Sequence, residues 1–85
     1  MILDLVLNNY WYGEIESGDT TLEYRQITPH WTKRIWDRRD EITHVNFRKG
    51  YSKISMKKKV TKIEVGTYPN SNSPTIYYLI HFKED

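Results

Sequence analysis

Hydrophobic residues fall in short runs along the chain, and their spacing sorts those runs into strands and helices. Ile2 to Leu7 is apolar apart from Asp4 and predicts a first strand. Asn8 or Asn9 then offers a side-chain oxygen to cap a helix over Tyr10 to Ser17, which Gly18 ends by taking a left-handed conformation. Trp11 and Ile15, four residues apart, are the expected buried stripe of that helix. Thr21 to Arg25 alternates, so Leu22 and Tyr24 share one face of a strand while Thr21, Glu23 and Arg25 share the other, outward or site-facing side. Thr28-Pro29-His30-Trp31 carries a helix start, with threonine as cap and proline where a missing N–H does no harm. That helix is expected to run to about Asp37 with Trp31 and Ile35 turned inward.

The second half is dominated by strands. Ile42 to Arg48 alternates with Val45 and Phe47 inward and leads to a turn at Lys49-Gly50. Ser55 to Val65 is strongly β-prone, yet Met56, Lys58 and Val60 occupy one phase and Ile63 and Val65 the other. A bulge near Val60 to Lys62 reconciles them, as happens where a sheet curves. Tyr68 to Pro74 is a loop by composition. Thr75 to Phe82 then alternates with Ile76, Tyr78, Ile80 and Phe82 inward. Five strands and two short helices predict an α+β protein built on a small, curved, barrel-like mixed sheet.

Composition bounds what such a fold can do. The 85 residues suffice for one domain with one core and a modest site. With no cysteine there is neither a disulfide framework nor a thiolate metal site, and an intracellular, cytoplasmic address is the expectation. The start has neither a basic leader nor a cleavage site, and no apolar run approaches the roughly twenty residues of a membrane span. The net charge of +2 is unevenly spread. Met1 to Tyr24 holds five acids and no base, whereas Arg25 to Lys62 holds twelve of the thirteen Lys and Arg against three acids. Such a block favours a phosphate-bearing partner, or is simply a solvated face.

A resemblance sharpens this. Ile15-Glu16-Ser17-Gly18-Asp19-Thr20-Thr21-Leu22-Glu23-Tyr24-Arg25 resembles the signature of the ASCH family, a branch of the PUA-like fold, which runs Gly-x-Lys-x-x-Glu-x-Arg from a helix end into a strand. Gly18, Glu23 and Arg25 match, and Thr20 stands where lysine is usual. The similarity continues through Pro29-His30-Trp31, Lys33-Arg34-Ile35, Val45 to Tyr51 and Lys62 to Gly66, in the family's order. It implies a PUA-like barrel over residues 1–85, a groove beside the signature, and RNA or nucleotide handling. Some members cleave RNA or deacylate a modified cytidine. The deacylating branch relies on a lysine and a threonine at the positions of Thr20 and Glu23 here, so that mechanism lacks its amine and its hydroxyl.

The residues themselves carry a complementary reading. Glu23 and Arg25, two apart on a strand, face the same way and present a carboxylate and a guanidinium together, either to a base edge or as a structural ion pair. Aromatic residues interleave with basic ones, the mixture that stacks bases and holds phosphates. The candidate binding set is therefore Glu23, Arg25, Trp31, Arg34, Arg48, Lys49 and Tyr51, with Trp36 and Tyr51 expected to be partly exposed, Trp31 in the core, and Tyr24 shared between core and groove. For acid/base or nucleophilic work the candidates are Glu23, His30 and Thr20, with Thr21 beside it. In Lys57-Lys58-Lys59 the middle side chain faces opposite to its neighbours, and the run reads as protection of a sheet edge. His30, His44 and His81 have no metal-ligand spacing, and neither metal nor cofactor is expected. A binding module for RNA or a nucleotide, a nucleic-acid-processing enzyme and a protein-interaction domain all remain open.

Overall fold

A computed structural model describes all 85 residues. Five strands and two short helices follow in the order β1 (Ile2–Leu7), α1 (Asn9–Glu16), β2 (Leu22–Gln26), α2 (Pro29–Arg34), β3 (His44–Lys49), β4 (Ser55–Thr67) and β5 (Ile76–Glu84), with a 3-10 turn at Trp36–Arg38. The strands form one curled mixed sheet in the order β1-β3-β4-β5-β2. Only β1 and β3 run parallel, and α1, β2 and α2 lie in the long connection between them. The sheet is a half-barrel whose two free edges are β1 and β2. No helix is long and apolar enough to cross a membrane.

The alternations explain the layers. Leu3, Leu5 and Leu7 of β1, Val45 and Phe47 of β3, and Tyr78, Ile80 and Phe82 of β5 fill the inner face. Phe47 and Phe82 meet edge to face at 5.0 Å. The predicted phase slip in β4 is a bulge between Val60 and Lys62, which returns Ile63 and Val65 to the registers of Ile80 and Tyr78. α2 is seated on this face by Ile35, which is fully buried, by Trp36 stacked on Tyr78 at 5.7 Å, and by a 2.5 Å hydrogen bond between the Thr32 and Tyr78 hydroxyls. Burial of Ile35 alone contributes about 2 kcal/mol.

Some expectations change. The inward pair of α1 is Tyr12 and Ile15, while Trp11 stays 39% exposed. On a helix of eight residues a stripe spaced by three suffices, and it turns Trp11 towards the β2 edge. α2 stops at Arg34 and tightens into the 3-10 turn, short of the α-helix to Asp37 that the pattern predicts. Ile76 is exposed, because it lies one residue beyond the last rung that β5 shares with β2. Lys58 does face opposite to Lys57 and Lys59, but β4 is an interior strand, so the run guards no edge. Lys58 is instead buried on the inner face, with its ammonium paired to Glu84 at the margin. Gly18 and Gly50 take φ of +86° and +56°, where a side chain would strain the backbone, and they end α1 and turn β3 into β4.

Candidate functional site

The open seam of the half-barrel is a cleft of about 330 Å³ between the end of β1 and β2. Val6, Leu7 and Asn8 line one side, Glu23 to Gln26 the other, and Trp11 and Trp31 bring in the two helices. Both tryptophans arrive in the same way. Asn8 caps α1 by accepting a hydrogen bond from the Trp11 N–H at 2.9 Å, and Thr28 caps α2 by accepting from the Trp31 N–H at 3.2 Å. Each indole therefore occupies the third position of a capped first turn.

Glu23 and Arg25 face inward together, opposite Ile80 and Tyr78 of β5. Their side chains are only 12% and 19% exposed, and a guanidinium nitrogen of Arg25 donates to Glu23 at 2.9 Å. The same nitrogen donates to the Val6 carbonyl at 3.0 Å, so Arg25 ties the β2 edge to the β1 edge across the seam. Its charge lies 5.0 Å from the centre of the Trp31 ring. The Nε of Arg25 is buried without a hydrogen-bond partner, which leaves the pair one donor over. The other Glu23 oxygen accepts from the Tyr24 N–H at 3.0 Å. Burial pushes the Glu23 carboxyl above the ordinary value of 4.5, against the opposing pull of Arg25 and of the Tyr24 N–H. The pair is thus a structural ion pair that also lines an opening.

Tyr24 belongs to the rim. Its ring meets Tyr68 at 4.8 Å and Tyr77 at 4.9 Å on the outer face, and it reaches both this cleft and a shallower aromatic hollow beside it.

The other expected residues lie elsewhere. Arg34 approaches the same Trp31 ring, at 5.8 Å, yet it lines a second cleft of about 370 Å³ with Met1 to Asp4, Lys33 and Arg38. Arg48 is on the outer face of the sheet, 3.9 Å from Asp4. Lys49 lies over the Tyr12 ring, and Tyr51 stands 97% exposed in the β3–β4 turn. Trp36 is half-buried under Arg39, whose charge is 4.2 Å from its ring. His30 is exposed and edge-on to Trp31 at 4.6 Å. Thr20 and Thr21 line a separate hollow with Lys58 and Glu84, so Thr20, Glu23 and His30 do not assemble into one catalytic set. No three His, Cys, Asp or Glu side chains come together to hold a metal ion.

Trp11, Asn8 and Gln26 are lining residues that the hydrophobic pattern did not single out. The signal was present in the repeated spacing of a capping residue followed three positions later by tryptophan, Asn8 to Trp11 and Thr28 to Trp31. Compared with protein-family models, curated proteins and solved structures, the chain matches none.

Proposed function

We propose that this chain is an RNA- or nucleotide-binding module that takes one base into the cleft between β1 and β2. The observation that carries the reading is the company of Glu23 and Arg25. A partly buried carboxylate and guanidinium share one opening with two indoles and a tyrosine. A nucleobase needs both things at once, a π-surface to stack on and donors and acceptors at its edge. At about 330 Å³ the opening is at the small end of ligand clefts, roughly 300–1,000 Å³, which suits a single base. The exposed amides of Asn8 and Gln26 supply edge contacts. The resemblance of Gly18 to Arg25 to the ASCH signature supports the same reading, and a PUA-like relationship is part of the proposal. Binding is favoured over catalysis because Thr20 and His30 stand apart from Glu23.

The test is quenching of tryptophan fluorescence by nucleoside monophosphates and by short single-stranded RNA at low salt. Saturable quenching is expected, weakened about tenfold or more by Trp11→Ala, in line with about 1–3 kcal/mol per stacked base. Absence of saturable quenching with every base would remove the proposal.

A further inference from the structure

The second cleft differs in kind from the first. It lies between Met1 to Asp4 of β1 and the end of α2, and its charged lining is Lys33, Arg34, Arg38 and Asp4. Two of these four are already satisfied. Arg38 holds Glu41 through two hydrogen bonds, at 3.2 and 3.5 Å. Asp4 accepts from Asn46 at 3.0 Å and has Arg48 at 3.9 Å. Lys33 and Arg34 have no carboxylate within reach, and both are exposed. The cleft is therefore a concave surface with two cations that have no carboxylate partner, beside one carboxylate, Asp4, that Asn46 and Arg48 hold.

Its position decides what that anion belongs to. Both clefts lie along β1, one on Val6 to Asn8 and the other on Met1 to Asp4, and they meet at the Trp31 ring, whose centre is 5.0 Å from the Arg25 charge and 5.8 Å from that of Arg34. At 3.3 Å per residue the midpoints of these segments are about 15 Å apart. A mononucleotide reaches from one cleft to the margin of the other, where Arg34 lies 5.8 Å from the centre of the Trp31 ring, but does not reach its middle. A strand of about four nucleotides, the lower end of the site sizes of small single-strand binders, does.

We propose that the Lys33–Arg34 cleft is a phosphate subsite, and that the ligand is a short single strand whose base enters the first cleft and whose phosphodiester, a few nucleotides along, rests between Lys33 and Arg34. This rests on the base-binding reading above and adds the length of the ligand to it. A free nucleotide is a fragment of the true ligand.

The experiment compares uridine monophosphate with a fluorescein-labelled RNA tetramer, against the parent chain, the double variant Lys33→Gln/Arg34→Gln, and Trp11→Ala, each verified as folded by circular dichroism. The tetramer is expected to bind at least tenfold more tightly than the monophosphate. The double variant should erase that gain, change monophosphate binding by no more than a few-fold through the contact of Arg34 with Trp31, and flatten the slope of log affinity against log salt by about 1.4, for two single-strand phosphate contacts. Unchanged tetramer affinity and slope in the double variant overturn the subsite while leaving the base cleft in place. A tetramer that depends on Lys33 and Arg34 but is indifferent to Trp11→Ala keeps the subsite and removes the base cleft. An acidic decapeptide that competes as well as the tetramer overturns the phosphate assignment in favour of a protein partner.

Discussion

Arg25 and Arg34 approach one indole, at 5.0 and 5.8 Å, and lead different lives. Arg25 is held by a carboxylate and a backbone carbonyl, is mostly buried, and closes the seam of the sheet. Arg34 is exposed, has no carboxylate partner, and opens onto a cleft whose other free cation is Lys33. In the sequence both belong to one basic block, yet the fold divides that block by environment. One arginine is a structural group, mostly buried at the seam, where electrostatics are strong and any loss is felt. The other is a solvated charge, whose value lies in what it attracts from solution and is screened by salt. Stacking surface and free charge, which a single-strand binder needs together, are thus supplied by neighbouring clefts.

The largest expected contrast between the two follows from truncating each. Arg25→Ala strands the Glu23 carboxylate and releases the Val6 carbonyl, and is expected to cost about 3 kcal/mol in urea denaturation at neutral pH. Arg34→Ala removes a solvated side chain and is expected to stay within about 0.5 kcal/mol of the parent. Equal losses at the two positions would mean that the seam is not a stressed joint, and the distinction drawn between them would fail.

That distinction was only partly legible in the sequence. Strand alternation was read correctly where it is local, as in Val45 and Phe47, and even the bulge at Val60/Lys62 appeared as a slip of phase, because a pleated strand must put every second residue on one face. The two-residue spacing of Glu23 and Arg25 announced a shared face for the same reason. What could not be read was which face of β2 is inside and which cleft a helical residue lines. The rotation of α2 is set by Ile35 under the sheet and by Thr32 bonded to Tyr78, 46 residues away, and that placement puts Arg34 in the cleft along Met1 to Asp4 and Trp31 in the one that Arg25 lines. Lys58 teaches the same lesson. Its opposition to Lys57 and Lys59 was visible, but its burial depends on pairing with β3 and β5, which no local pattern encodes.

A smaller contrast separates the helix caps from Lys33 and Arg34. Asn8→Ala and Thr28→Ala each remove the acceptor that fixes a tryptophan N–H, and each is expected to cost about 1 kcal/mol of stability. Their effect on binding is expected to be confined to the base. Affinity for uridine monophosphate should fall a few-fold in both variants, while the advantage of the RNA tetramer over the monophosphate is unchanged. A loss of that advantage in a cap variant would show that the two clefts are one coupled surface.

The smallest effect is one of proton affinity, and its sign separates the enclosed seam from the solvated sheet. Glu23 is held above the ordinary 4.5 mainly by burial, whereas Glu64, on the outer face of β4, is held below it first by its hydrogen bond to Lys62. Carbon-detected carboxyl titration by NMR should therefore place the Glu23 midpoint above 4.5 and that of Glu64 below it. The linked stabilities run in opposite directions. A raised folded-state value means that the Glu23 contribution is complete below the unfolded value and is lost as pH rises through the folded one. The contribution of Glu64 is complete above its unfolded value and is lost as pH falls through its folded one. A ligand that accepts from Arg25 draws that guanidinium away from Glu23 and leaves the carboxylate less compensated, so binding of uridine monophosphate is expected to raise the Glu23 midpoint further and leave that of Glu64 where it was. A Glu23 midpoint below 4.5 in the free chain would mean that water and Arg25 outweigh burial there, and the seam would then be no more enclosed than the surface with which it is contrasted.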